Sequence, residues 1–136
     1  MGSQQVILLD THALVWWFTG AAGLSARAKR TIQSAARQGP LVASAISVFE
    51  IATAARRDRL KLSVPLDQWL GDLRMLPELR FEPVTADIAQ LAGTLERSLP
   101  GDPADRIIVA TAMTLQAKLV TADDHLRRLR QVDTVW

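Results

Sequence analysis

The chain has 136 residues, the size of one compact domain, and its 49% hydrophobic content is enough to build a real core. It contains no cysteine, which excludes disulfide staples, thiolate zinc sites and cysteine nucleophiles, and a formal net charge of +2 is too small to identify a polyanionic partner. No stretch approaches the run of about 20 uncharged apolar residues that spans a membrane, and no basic segment leads into an apolar signal core, so a single cytoplasmic domain over 1–136 is expected.

Residues 6–9 are a short, wholly apolar run ending in Asp10, the pattern of a strand buried on both faces, and 12–18 follow as a helix. Residues 25–38 read as a polar-faced helix, with Ser25 at its start and Gly39 just past its end. A second strand is expected at 41–43, after which Ser44 can cap a helix over 45–57. Pro65 marks another helix start, with Leu66, Trp69, Leu70 and Leu73 at spacings of three and four. A brief strand at 81–84, broken by Pro83, precedes Thr85, the cap of a helix over 86–99. Beyond a Pro100-Gly101 loop, Asp102 and Pro103 form an N-cap and first-turn pair that opens an amphipathic helix to about 117. Residues 118–121 read as a strand, 122–129 as a last helix and 134–136 as a final edge strand. Short apolar strands alternating with longer helices define an α/β fold, a three-layer sandwich with helices flanking a mostly parallel, short-stranded sheet. Its right-handed crossovers gather the strand C-termini along one edge, where such sheets bind ligands.

Two acids belong on that edge. Asp10 closes the first strand and Asp123 follows the 118–121 strand, although an Asp in such a place is most often a helix cap. Glu50 sits mid-helix between Ile46 and Ala54, so its carboxylate projects from a largely apolar stripe. Asp105 stands three, four and seven residues before Ile108, Val109 and Ala112, at the start of a core-facing stripe. A carboxylate carried toward a core must find a counter-charge, a proton or a cation, and Arg27, Arg56 and Arg106 are the available counter-charges. Together the four acids make a hard oxygen set suited to Mg²⁺ or Mn²⁺, and the chemistry implied is phosphoryl transfer to water.

His12 and His125 have no metal-ligand spacing, which disfavours zinc. A phosphatase using Asp10 as nucleophile usually wants a second acid two residues on, where this chain has His12. Gly20 and Gly23 lie in a loop without the lysine of a phosphate-binding Walker sequence. Basic residues bunch at Arg56, Arg57, Arg59 and Lys61 and again at Arg127, Arg128 and Arg130, as two patches able to meet phosphates. For either run alone, a solvated helix end is the plainer reading.

Four segments carry a resemblance: Leu8-Leu9-Asp10-Thr11-His12, Ser47-Val48-Phe49-Glu50-Ile51-Ala52, Asp102-Pro103-Ala104-Asp105-Arg106-Ile107-Ile108-Val109-Ala110 and Leu119-Val120-Thr121-Ala122-Asp123. In order and spacing they resemble the four motifs of PIN domains, most of all the VapC-type toxins of bacterial toxin–antitoxin pairs. The resemblance implies a metal-dependent endoribonuclease in which Asp10, Glu50, Asp105 and Asp123 bind Mg²⁺ or Mn²⁺ and RNA is cut to 5′-phosphate and 3′-hydroxyl ends. It also implies a homodimer and a tight complex with an antitoxin whose C-terminal segment lies across the active groove. Thr11, Ser47 and Thr121 fall where that family has hydroxyls beside the acids, and Asp102 is the helix cap first and a metal ligand second. Trp16 and Trp17 are adjacent on one helix, so only one is expected deep in the core and the other at a dimer or antitoxin interface, whereas Trp69 fits its helix's core stripe. A non-catalytic module that binds RNA and antitoxin is the alternative, its carboxylates serving as caps and arginine partners.

Overall fold

Side-chain alternation along three short strands sets the layering. A computed structural model describes residues 5–96, 99 and 101–136. Among them the strands are β1 (Ile7–Leu9), β2 (Leu41–Ser44), β3 (Leu79–Glu82), β4 (Lys118–Val120) and β5 (Thr134–Val135). The helices are α1 (Thr11–Thr19), α2 (Ala26–Gln38), α3 (Ala45–Arg56), α4 (Leu66–Arg74), α5 (Ala86–Thr94), α6 (Pro103–Leu115) and α7 (Asp124–Arg127). All strand pairs are parallel, in the order β3-β2-β1-β4-β5. Ile7, Leu9, Leu41, Ala43 and Val120 point to one face, where Leu14, Ile32, Ile51 and Leu73 of α1 to α4 cover them. Leu8, Val42 and Leu119 point to the other, against Ile108, Val109 and Ala112 of α6. The period of two thus buries both faces of the sheet between helices, each fully buried Leu contributing about 2 kcal/mol. α5 packs on α6 through Ile88, Ala92 and Ala110. None of the described helices is long and apolar enough to cross a membrane.

The chain builds outward from β1 through β2 to β3, then returns to the opposite side of β1 for β4 and β5. That reversal puts a topological switch point between β1 and β4, and a crevice opens outside the strand C-termini at such a point. Asp10 N–H still bonds Val120 O at 3.1 Å, so β1 and β4 end level with each other there.

Most element starts fall where the caps predict them. Ser25, Ser44 and Thr85 each accept a backbone N–H at the mouth of α2, α3 and α5, at 3.0, 3.1 and 3.2 Å. Several ends differ from expectation. β3 runs from Leu79 to Glu82 and stops before Pro83 instead of passing through it, because proline has no N–H to add to the ladder. α5 ends at Thr94, Leu95 having turned extended; of the remainder of the expected 86–99 helix and its Pro100 loop, Arg97, Ser98 and Pro100 lie outside the described residues. The Arg106 guanidinium takes over the carbonyls that α5 leaves open, donating to Ala92 O at 3.0 Å and Leu95 O at 2.5 Å. α6 stops at Leu115 because Gln116 turns left-handed (φ 52°), and α7 is confined to four residues because Asp123 is its cap and not part of it.

The tryptophans depart from expectation too. Neither Trp16 nor Trp17 is deep; both are half-buried against the first core, while Trp69 is buried and meets Phe18 edge to face at 5.0 Å. The Trp16 indole lies between the His12 and Trp136 rings, with centroids 5.6 and 5.7 Å away, so Trp136 has a packing role at the base of α1. Gly23 backs this ring so closely that a Cβ there would stand 2.4 Å from Trp16 Cδ2. Gly23→Ala is therefore expected to lower stability by about 1–3 kcal/mol in chemical denaturation. Gly71→Ala, in α4 with open space around it, should instead raise stability by about 0.5–1 kcal/mol.

Candidate active site

A cleft of about 1000 Å³ opens at the C-terminal edge of the sheet, and Asp10, Glu50, Asp102, Asp105 and Asp123 all line it. Each arrives by a different local device. Asp10 follows β1 and caps α1, accepting Ala13 N–H at 2.9 Å while remaining buried. Glu50 is carried on α3 and accepts the Thr11 hydroxyl, which also lies 2.8 Å from Ser47 Oγ. Asp102 caps α6 through Ala104 N–H at 2.9 Å, and Asp105 stands one turn further along, half-buried. Asp123 is exposed and caps α7, its Oδ1 accepting from His125 and Leu126 at 2.8 and 3.1 Å.

The four acids named from sequence thus share one cleft, and Asp102, assigned there mainly as a cap, lines it with them. The three hydroxyls also come close: Thr11 meets Glu50, buried Ser47 meets Thr11, and buried Thr121 hydrogen-bonds Asp10 and accepts Asp123 N–H at 3.1 Å. The arginine counter-charges do not arrive. The ion pairs between described residues, Arg80–Glu82 and Arg127–Asp124, do not involve these acids, and Arg106 is committed to the end of α5.

Burial sets the electrostatics first, with His12 opposing it at Asp10 and Glu50. Burial raises the Asp10 carboxyl above its ordinary range, against the opposing hydrogen bonds from Thr121 and Ala13. Burial likewise raises Glu50, opposed by the Thr11 hydroxyl and reinforced by the charge of Asp102. Asp105 is pushed up to about 7, by burial first and then by Asp102, Glu50, Asp123 and Asp10 around it. Among the described residues Asp105 has no hydrogen-bonding partner; its place in the first turn of α6 favours a negative charge but supplies no counter-ion. As they stand, no three acidic or histidine side chains among the described residues close on a single point as a ready-made cage. Like charges without a cation between them repel, and one oxygen each of Asp10 and Asp123 is turned onto a helix amide. The donor set is nonetheless all-carboxylate with flanking hydroxyls, which fits a hard divalent ion that keeps much of its water and disfavours a soft one.

A second wall was only half legible. Of the two basic runs, Arg56, Arg57 and Arg59 line this cleft, while Lys61 of the first run and Arg127, Arg128 and Arg130 of the second do not. Phe49, beside Glu50, also lines it and is 65% exposed. An aromatic in a helix that is otherwise largely apolar carries no mark in sequence to say that it faces out.

A parallel five-stranded α/β sheet with a cluster of carboxylates at its switch point is the frame of a known family. The PIN domain model matches residues 7–132, and this chain belongs to the PIN-domain family. It is 39% identical over 132 residues to Ribonuclease VapC22 of Mycobacterium tuberculosis, a match covering 96% of this chain and 98% of the relative. Among solved structures, VapBC2 from Rickettsia felis bound to a DNA fragment from its promoter superposes with a TM-score of 0.71 at 18% identity, covering 96% of this chain and 98% of that one. A toxin–antitoxin complex from Klebsiella pneumoniae does so with a TM-score of 0.65 at 20% identity, covering 96% of each chain. The fold inferred from sequence, a PIN-like three-layer sandwich, is the one observed.

Proposed function

We propose that this protein is a metal-dependent endoribonuclease, the toxin of a toxin–antitoxin pair, that hydrolyses RNA to 5′-phosphate and 3′-hydroxyl ends. The observation that carries the reading is Asp105: a half-buried carboxylate pushed up to about 7, without a counter-ion among the described residues, facing four further carboxylates in one cleft. Helix capping accounts for Asp10, Asp102 and Asp123, but it leaves Asp105 and Glu50 unexplained. Asp10, Glu50 and Asp105 are assigned as the residues that hold Mg²⁺ or Mn²⁺, with Asp123 completing the set. When bound, such an ion supplies Lewis acidity toward a water and toward the charge that builds on the phosphate.

The chain's own groups do the rest. Thr11 and Ser47 hold the Glu50 carboxylate in orientation, and Thr121 with the Ala13 amide does the same for Asp10, so the acids need little reorganisation on binding. Asp102 adds negative field while capping α6. RNA as substrate is supported by the kinship to a ribonuclease, and an antitoxin partner by the toxin–antitoxin character of the neighbouring structures.

Incubating the purified protein with mixed structured RNAs is the direct test. Fragments bearing 5′-phosphate ends are expected in Mg²⁺ or Mn²⁺ and none in chelator. Cleavage that persists in chelator, or its absence with either ion, overturns the proposal.

A further inference from the structure

The α3 wall of the cleft is chemically unlike the acidic one. Phe49 is among the few large apolar side chains left exposed, although its helix neighbours Ile46 and Ile51 are packed into the two cores. Thr53, Arg56 and Arg57 follow it at i+4, i+7 and i+8, so ring and guanidinium groups share one face of the helix. Asp58 then turns left-handed (φ 56°), and Arg59 N–H bonds back to Ala54 O at 2.9 Å. That reversal keeps Arg59 on the same cleft instead of letting the chain carry it away.

None of the three arginines forms an ion pair with a described residue, although five carboxylates line the same cleft. Arg57 stands seven positions after Glu50, a rise of about 10.5 Å along α3, so the two do not pair within the helix and the guanidinium is left for a neighbouring phosphate. An aromatic platform joined to a cationic track is the recognition chemistry of single-stranded nucleic acid, whose bases are free to stack; in a duplex their faces are hidden.

We propose that this wall is a binding track for single-stranded RNA, in which Phe49 stacks a nucleobase beside the acids and Arg56, Arg57 and Arg59 hold adjoining backbone phosphates. The proposal rests on the nuclease reading only for the identity of the substrate.

The test is fluorescence anisotropy with a labelled mixed-sequence single-stranded RNA and its duplex, in Mg²⁺, with every variant carried on the Asp10→Asn chain. Phe49→Ala is expected to weaken single-strand binding about tenfold without changing its salt dependence, because stacking carries no charge. Phe49→Trp should restore affinity, and Phe49→Leu, which keeps apolar area but has no π face, should not. Arg57→Ala should reduce the slope of log affinity against log salt by about 0.7, as should Arg56→Ala and Arg59→Ala. The duplex should bind more weakly and be indifferent to Phe49. Since Phe49 is 65% exposed, its variants are expected to unfold at the wild-type temperature.

Equal RNA binding by the Ala and Trp variants overturns the proposal, as does rescue by Leu or an unchanged salt slope in all three arginine variants. A Phe49→Ala effect confined to self-association or to antitoxin binding also overturns it, by making this a protein-docking face. If the otherwise wild-type chain cleaves RNA while the binding effects are missing, the track fails and the nuclease stands; if it cleaves nothing while the effects appear, the reverse holds.

Discussion

Asp105→Asn is expected to cut RNA cleavage by at least about a hundredfold and, in chelator at about pH 8, to make the folded protein more stable than wild type. The sign follows from the direction of the shift. Asp105 is pushed from its ordinary 3.8 up to about 7 in the folded chain, so between those values the folded state binds more proton than the unfolded one. Stability then falls as pH rises through that window, with the penalty absent below the unfolded value and complete above the folded one. Half-exposure lets solvent screen part of the cost, so the loss between about pH 4 and pH 8 is on the order of 1–2 kcal/mol. An isosteric amide has no charge to be repelled by Asp102 and Glu50, and its unfolding profile should be flatter over the same range. Mg²⁺ should reverse the ranking: wild type gains about 2.7 kcal/mol at a hundred times the dissociation constant, and the variant gains little. A single series of thermal melts with and without ion therefore separates a site kept for a cation from a merely awkward carboxylate. If Asp105→Asn melts lower than wild type in chelator at about pH 8, the carboxylate has a stabilising partner and the cluster argument is lost.

The fold was legible because its determinants are local and periodic. The apolar run at 6–9 and the Leu119-Val120 pair of the 118–121 strand are suited to burial between two layers of helices, and Ser25, Ser44, Thr85 and Asp102 state helix starts through caps whose chemistry is readable one residue at a time. Helix ends were less legible because tertiary contacts set them. Nothing near Thr94 announces that Arg106, twelve residues on, will take the last carbonyls of α5, and Gln116 adopts a left-handed cap usually given to glycine. Asp10 and Asp123 were legible from strands that end on one edge and Glu50 and Asp105 from their core-stripe positions, but only the packing of α3 and α6 brings the latter two to the same cleft. Their lack of arginine partners was not readable, since Arg56 and Arg106 are near enough in sequence to serve and only packing sends one into the cleft unpaired and the other to a helix end. Trp136 shows the same limit: its contact with Trp16 joins the two ends of the chain, and no spacing rule anticipates it.

Asp10 has two occupations, and the second large prediction separates them. Its Oδ1 caps α1 through Ala13 N–H, while its position after β1, level with the end of β4, puts it at the base of the acidic cleft. Asparagine caps a helix about as well as aspartate, whereas alanine forfeits about 1 kcal/mol and leaves a buried amide without its acceptor. Asp10→Asn should therefore keep a chelator melting temperature at or above wild type, since burial disfavours the charged form it removes, and lose at least about a hundredfold in cleavage and most of the Mg²⁺-induced stabilisation. Asp10→Ala should lose activity to the same extent and stability as well. Equal loss of activity with unequal stability identifies the charge as the catalytic requirement and the cap as its scaffold. If Asp10→Asn keeps its activity while only Asp10→Ala fails, the residue is a cap alone, and the metal site must be rebuilt around Glu50 and Asp105.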